Sequence, residues 1–261
     1  MELTSPRVVR DVLQRHGIRL RTSLGQNFLV DPNVLQRIVA AAELTPESHV
    51  LEVGAGIGTL TRALAARAGR VLVVELDQSL RPVLQETLSG LQNVHVVYGD
   101  VLRVDLRSLL GAHCRPPCHV VANIPYQITS PLLGRLLAHR DAFRRLVLML
   151  QEEVAQRLLA SPGSKDYSAL TVFARFYCHV ERVTSVSRHC FLPSPRVDSA
   201  VVRIDLRDEP VAPVDDEKLL FATVRAAFGT RRKTLANALS AGLARPRSEI
   251  ERALRAAGID P

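Results

Sequence analysis

Between residues 49 and 150, short runs rich in Val and Leu alternate with segments of helical length. The apolar runs are 49–53, 70–74, 94–98, 119–122 and 146–150. They contain little polar alternation, which is typical of parallel strands buried on both faces. Two further strands are predicted at 180–187 and 199–206, and Asp31 followed by Pro32 predicts a helix start. The pattern therefore predicts an α/β fold, with a parallel sheet covered by helices.

The segment 208–213, Asp-Glu-Pro-Val-Ala-Pro, disfavours both helix and strand, and the pattern after it is helical. We therefore predict a main domain at 1–209, which opens with a basic segment and helices at 1–48. A small helical domain is predicted at 210–261.

The excess charge lies at the two ends of the chain. The net charge is +8; residues 1–30 hold five Arg against two acidic residues, and residues 221–261 hold eight Lys or Arg against three. The segment between them is neutral. This distribution favours a polyanion held by the termini, because phosphate contacts supply most of the sequence-independent affinity for nucleic acid. The alternative is that these charges are simply solvated helix faces.

No apolar run approaches the roughly 18 residues of a membrane span, and the first thirty residues lack a signal-peptide core. We expect a soluble, cytoplasmic monomer. The four cysteines are too sparse for a disulfide framework, which predicts reduced thiols. The run 113–119 places two Cys and two His close together, but its spacing fits no standard zinc pattern, and no metal is predicted.

A glycine-rich turn follows the first predicted strand, with Gly54, Gly56 and Gly58 at alternate positions. Glycines at such a turn let a ligand approach the backbone closely. A nicotinamide-binding turn would have its third glycine at position 59, where this chain has Thr59. A purely structural tight turn is the alternative.

Acidic residues end the next two strands, Glu75 and then Asp100. The first suits ribose hydroxyls, and the second suits an adenine amino group, because an ionised carboxylate only accepts hydrogen bonds. Either one alone could be a solvated acid at a strand end. Together with the glycine turn they indicate a nucleoside cofactor without a pyrophosphate.

The fourth strand ends in Asn-Ile-Pro-Tyr at 123–126. An adenine N6 amine is a poor nucleophile and has to be held with its lone pair aimed at a methyl donor. The Asn side-chain oxygen and a nearby backbone carbonyl can accept its N–H groups, and Tyr126 offers a ring for an extruded base. A polar turn, with Pro as the strand breaker and Tyr as packing, is the alternative.

These segments, in this order, resemble the KsgA family of small-subunit (16S) ribosomal RNA adenine N6,N6-dimethyltransferases, relatives of the Erm methyltransferases. The resemblance covers nearly the whole chain. Its motifs are GQNFL at 25–29, VGAG at 53–56, VELD at 74–77, GD at 99–100, NIPY at 123–126, MLQEEV at 149–154, FLPSPRVDSAVV at 191–202, AF at 227–228 and RRKT at 231–234.

The resemblance implies a Rossmann-like class I methyltransferase that uses S-adenosyl-L-methionine to dimethylate two adjacent adenines in the 3′-terminal hairpin of small-subunit ribosomal RNA. It makes the precursor of the small subunit the partner. The implied cofactor contacts are Asn27, Leu29, Gly54, Glu75, Asp100 and Asn123. The implied catalytic set is Asn123, Ile124, Pro125 and Tyr126, with Phe191 as a second wall for the adenine. The charge distribution assigns RNA binding to Arg231, Arg232 and Lys233, and less strongly to Arg19 and Arg21.

The chain departs from the family pattern in two places. Position 124 is Ile where Leu is usual, which should matter little because the backbone carbonyl is the working group. Relatives usually continue beyond Pro261, so the small domain is short or lacks a tail, which makes RNA affinity less secure than cofactor binding.

Three other functions compete with this interpretation. An Erm-type enzyme acting on large-subunit RNA shares the cofactor and the target atom. A non-catalytic RNA-binding assembly factor would share the fold, but the intact residues 123–126 and Glu75 argue against it. A DNA adenine methyltransferase usually carries Asn-Pro-Pro-Tyr, and position 124 is Ile.

Overall fold

The computed structural model describes residues 1–21, 24–230 and 232–261. The chain forms two compact units. The first comprises Met1–Gln156 and Cys178–Leu206, and the second comprises Arg157–Tyr177 and Arg207–Pro261. None of the helices in these described stretches has the length and apolarity that a bilayer span requires.

The strands are β1 Phe28–Leu29, β2 His49–Val53, β3 Arg70–Glu75, β4 Val94–Tyr98, β5 Cys118–Asn123, β6 Phe143–Gln151, β7 Cys178–Val186, β8 Phe191–Leu192 and β9 Ser199–Leu206. The helices are α1 Pro6–Arg15, α2 Pro32–Ala42, α3 Thr59–Ala65, α4 Arg81–Thr87, α5 Leu106–His113, α6 Thr129–Ala138, α7 Glu152–Leu159, α8 Ala169–Tyr177, α9 Glu217–Phe228, α10 Leu235–Leu243 and α11 Arg247–Ala256.

Seven strands form one sheet in the order β4-β3-β2-β5-β6-β9-β7. Strands β2 to β6 are parallel, whereas β9 runs antiparallel to both β6 and β7. All seven sequence-predicted strands are present, and Asp31 caps α2 through the amides of Asn33 and Val34. The predicted α/β fold is confirmed. Because β3 and β5 flank β2, the strand order reverses there, which is where open α/β sheets bind ligands.

Strands β1 and β8 form a separate two-stranded antiparallel sheet. Phe28 pairs with Leu192, and Leu29 pairs with Phe191. This pairing brings the segment before α2 against the segment before β9, which lie far apart in the sequence. The sequence alone did not predict it.

Ion pairs fix β9 against β6. The guanidinium of Arg145, on β6, lies 2.5 Å from Asp205 and 2.6 Å from Glu43. Arg203, on β9, contacts the same two carboxylates at 2.7 Å. Two cations and two anions alternate here, so each charge has an opposite neighbour. Hydrogen bonds from Arg145 lower the pKa of Glu43, which keeps this carboxylate charged.

The domain boundary differs from the predicted division. The second unit begins again at Arg207, close to the predicted boundary, but it also contains residues 157–177, which the sequence assigned to the main domain. The reason is aromatic packing: Phe173, Phe176 and Tyr177 of α8 contact Phe221 of α9 with ring centroids 4.8 to 5.6 Å apart. The Tyr177 hydroxyl also donates to Glu217.

Candidate active site

A cleft opens in the first unit at the carboxyl ends of the parallel strands. Every cofactor and catalytic residue proposed from the sequence lines it: Asn27, Leu29, Gly54, Glu75, Asp100, Asn123, Ile124, Pro125, Tyr126 and Phe191. Four strands of the main sheet, β2 to β5, and the β1–β8 pair therefore deliver these residues to one place. Phe191, which the resemblance implied as a second wall for the adenine, is among them.

The turn after β2 lines the cleft and has glycine at three alternate positions. Gly54, Gly56 and Gly58 have φ of 76°, 57° and 87°, which side-chain-bearing residues rarely adopt. A Cβ added at Gly56 would lie 3.0 Å from the ring of Phe28. A side chain at Gly56 would therefore strain the turn and push against Phe28.

Glu75 is 6% exposed at the end of β3. Its carboxylate accepts hydrogen bonds from the amide of Gly56 at 3.1 Å and from that of Asp77 at 2.8 Å. Burial raises its pKa, and the two backbone hydrogen bonds oppose that shift. A carboxylate has about four acceptor positions, so capacity remains for a ligand.

Asp100 follows β4 and is more accessible, with its side chain 33% exposed. One carboxylate oxygen accepts from the amide of Leu102 at 2.9 Å, and the other lies 3.4 Å from Arg103. These contacts hold the carboxylate at the rim of the cleft.

Asn123 ends β5, and its side chain has a defined orientation. Its Nδ2 donates to the backbone carbonyl of Asn27 at 3.3 Å, while the side chain of Asn27 donates to the carbonyl of Gly25 at 3.1 Å. The amide of Ile124 donates to Met149 of β6 at 3.1 Å. No residue in the described part of the chain donates to Oδ1 of Asn123 or to the carbonyl of Ile124, so both atoms of these cleft-lining residues remain available as acceptors.

Tyr126 is half-buried, and its hydroxyl lies 2.7 Å from the hydroxyl of Ser199. Burial raises the pKa of Tyr126, so the phenol stays protonated at neutral pH. Phe191 is 5% exposed and lines the same cleft.

Sequence reasoning missed Glu52, which lines the cleft two residues before Gly54. It is 1% exposed, and neither carboxylate oxygen has a hydrogen-bond partner in the described residues. Burial raises its pKa to about 8, against a smaller lowering by the Thr61 hydroxyl, whose geometry falls short of a hydrogen bond. The available signal was an acid inside an otherwise apolar strand.

Sequence reasoning also missed a link between the N-terminal segment and Asp77, which follows β3. The side chain of Gln26 donates to Asp77 at 2.7 Å, and the guanidinium of Arg21 lies 3.6 Å from the same carboxylate. Arg21, proposed from the sequence for RNA, is therefore paired with Asp77, although its side chain is 57% exposed; Arg19 is also exposed.

The remaining proposed RNA contacts belong to the second unit. Arg232 and Lys233 are exposed and have no ion-pair partner in the described residues; Arg231 lies outside the described residues. In the run 113–119, Cys114 and Cys118 are buried free cysteines, and the thiol of Cys118 donates to the backbone carbonyl of Arg115 at 3.5 Å. Within the described part of the chain, no three His, Cys, Asp or Glu side chains are grouped to hold a metal.

The sheet order, the glycine turn after β2, Glu75 at the end of β3 and Asp100 after β4 define a Rossmann-like methyltransferase. The family model of ribosomal RNA adenine dimethylases matches residues 17–255. The chain belongs to this family, which confirms the resemblance drawn from its motifs. By this membership it is an enzyme that methylates adenine in ribosomal RNA.

Individual relatives agree. The ribosomal RNA small subunit methyltransferase A of Pelotomaculum thermopropionicum is 48% identical over 99% of this chain and 90% of its own length. The ribosomal RNA small subunit methyltransferase A of Anoxybacillus flavithermus is 43% identical over 100% of this chain and 90% of its own length.

Two solved structures are also similar. A dimethyladenosine transferase from Plasmodium falciparum has a TM-score of 0.69 at 30% identity, covering 89% of this chain and 82% of that one. The 23S rRNA methyltransferase ErmE has a TM-score of 0.68 at 34% identity, covering 89% of this chain and 91% of that one.

Proposed function

We propose that this chain dimethylates N6 of two adjacent adenines in the 3′-terminal hairpin of small-subunit ribosomal RNA, during biogenesis of the small subunit. The observation that carries the proposal is the pair of free acceptors at Asn123 and Ile124, beside the cleft that Glu75 and Asp100 line. The small-subunit target is supported by the names of the relatives that are 43% and 48% identical.

The cleft fits S-adenosylmethionine. The carboxylate of Glu75 keeps acceptor capacity for ribose hydroxyls, and Asp100 at the rim suits the adenine amino group. The bare turn at Gly54 leaves room for the rest of the molecule, with Leu29 as an apolar wall and Asn27 and Asn123 as polar contacts. When bound, the cofactor supplies an electrophilic methyl group.

The chain's own residues orient the acceptor amine. Oδ1 of Asn123 and the carbonyl of Ile124 accept its two N–H groups, which directs the nitrogen lone pair out of conjugation with the ring. Pro125 has no N–H and a restricted φ, which keeps this backbone in place. Tyr126 stacks on the extruded adenine, and Phe191 forms the opposite wall. After the first transfer one N–H remains, and one acceptor still holds it.

No side chain is needed as a base. The amine becomes cationic on methylation and is then acidic enough to lose a proton to water. Asn123 cannot ionise, and the protonated Tyr126 cannot accept that proton as a phenolate. The catalytic contribution is therefore positioning and hydrogen bonding.

RNA affinity comes from phosphate contacts, for which Arg231, Arg232 and Lys233 are the proposed residues. Three neighbouring cations in the sequence suit sequence-independent contact with phosphates.

The test is transfer of labelled methyl groups to purified small and large ribosomal subunits from a strain that lacks this modification, followed by mapping of the modified base. Dimethylated adenines near the 3′ end of small-subunit RNA support the proposal. Label in the large subunit instead assigns an Erm-type activity, and label in neither favours a non-catalytic assembly factor. The Asn123→Ala variant serves as the inactive control.

A further inference from the structure

The hydroxyls of Tyr126 and Ser199 are 2.7 Å apart, although Tyr126 precedes β6 in the sequence and Ser199 follows it. We propose that Ser199 is a positioning residue for methyl transfer: its hydroxyl fixes the Tyr126 ring at the angle at which the target adenine stacks. This rests on the proposed function, since it assumes that Tyr126 is the stacking platform.

Ser199 is a rigid anchor. It is 0% exposed and begins β9, where it pairs with Gln151 of β6 on one side and with Val186 of β7 on the other. The preceding residue, Asp198, accepts the amide of Glu152 through its backbone carbonyl and that of Arg188 through its side chain. The position of the Ser199 hydroxyl is therefore set by three strands and two flanking hydrogen bonds.

Tyr126, in contrast, follows the end of β5 in a short 3₁₀ turn at Tyr126–Ile128. Its backbone is held by Pro125 and by the hydrogen bond from Ile128 to the Pro125 carbonyl. The ring itself lines an open cleft on one side. A tyrosine in that setting can occupy several staggered side-chain conformations, and the bond to Ser199 selects one before the substrate arrives.

The arrangement also excludes another role for the phenol. Burial keeps Tyr126 protonated, and its hydroxyl is engaged with Ser199. The phenol is thus not a proton acceptor for the reaction, and its contact with Ser199 takes up part of its hydrogen-bonding capacity. The ring face therefore carries the proposed role, because stacking on the adenine depends on the orientation of the ring. A near-attack geometry tolerates little misplacement, so loss of the anchor should slow transfer more than it weakens binding.

The experiment compares Ser199→Thr with Ser199→Val. These two side chains have nearly the same size and differ in the hydroxyl, so any packing damage at the buried position is common to both. We expect the Thr variant to transfer methyl in single turnovers about five to ten times faster than the Val variant, as for loss of one hydrogen bond with a buried partner. The KM for RNA and the affinity for S-adenosylmethionine should be alike in the two variants.

A double-mutant cycle supplies the second readout. If the two hydroxyls act together, Tyr126→Phe and Ser199→Ala each slow transfer several-fold, and the double variant is no slower than the slower single one. The cycle also tests the proposal if the Thr and Val variants fail to fold, because Ser199→Ala adds no atoms at the buried position. Thr171→Val in α8 is the control: Thr171 is 0% exposed and donates to the Arg157 carbonyl, so the variant loses an equally buried hydroxyl that does not line the cleft and should leave the transfer rate unchanged.

Equal rates for the Thr and Val variants, or additive losses in the cycle, would overturn the assignment. These outcomes are separate from failure of the proposed function. If the wild-type enzyme methylates another RNA, the comparison is run on that RNA, and the pairing of Ser199 with Tyr126 is tested there in the same way.

Discussion

The side-chain nitrogen of Asn123 donates to the backbone carbonyl of Asn27, across 3.3 Å. Since that carbonyl can only accept, it determines which end of the Asn123 amide faces it, and Oδ1 is left for the substrate amine. The N-terminal segment therefore orients the residue that is expected to orient the adenine. This explains why motifs far apart in the sequence have to meet before the site can act.

The first prediction concerns Asn123→Asp. The replacement keeps the shape of the side chain but puts an oxygen opposite the Asn27 carbonyl, where the two acceptors repel each other. Single-turnover methyl transfer should fall by about 10² to 10³, as for Asn123→Ala. RNA affinity, measured by filter binding, should change less than about twofold.

Asn93→Asp is the matched control, because the Asn93 side chain donates to the carbonyls of Ala65 and Ala68 instead of the active-site segment. It should lower the free energy of unfolding and leave the rate of the folded enzyme unchanged. Equal losses of RNA binding and transfer in Asn123→Asp would contradict the assigned role.

The second prediction compares Gly56→Ala with Gly90→Ala. Both glycines have positive φ, 57° and 82°, so alanine should lower the free energy of unfolding by about 1–2 kcal/mol at either position. At Gly56 the new Cβ also meets Phe28 at 3.0 Å, whereas at Gly90 nothing lies within 4 Å. Calorimetry should show weaker S-adenosylmethionine binding in Gly56→Ala alone. Equal affinities in the two variants would mean that the turn does not contact the cofactor.

The third prediction concerns the basic residues of the second unit. Replacing Arg232 and Lys233 by Ala should weaken binding to RNA of any sequence and reduce the slope of log affinity against log salt by about one for each residue. Lys218→Ala, at the exposed start of α9, removes a charge from the same unit as a control. A salt slope that stays at the wild-type value would remove these residues from the RNA contact.

The strands were predictable because buried apolar runs leave a strong local signal, and the lining of the cleft followed because parallel strands end at one edge. What could not be predicted depends on contacts between distant residues. The pairing of Leu29 with Phe191 and the bond of Tyr126 to Ser199 have no local signature. Helix α8 was not among the predicted elements, and only the contact of its aromatic residues with Phe221 shows which core they fill.

The last prediction concerns Glu52, whose pKa of about 8 in the folded chain exceeds its ordinary value of 4.5. Between these values the unfolded chain has released the proton and the folded chain retains it. The unfolded state therefore binds fewer protons, and this group makes stability fall as pH rises, by about 1.4 kcal/mol per pH unit.

Glu52→Gln removes the ionisation. The free energy of unfolding, measured with urea at pH 5.5 and at pH 7.5, should be compared for variant and wild type. The difference between them should shift in favour of the variant by up to about 3 kcal/mol from the lower pH to the higher. Glu47→Gln, at an exposed position before β2, should leave the slope unchanged. Parallel pH slopes for wild type and Glu52→Gln would mean that Glu52 is already charged in the folded enzyme.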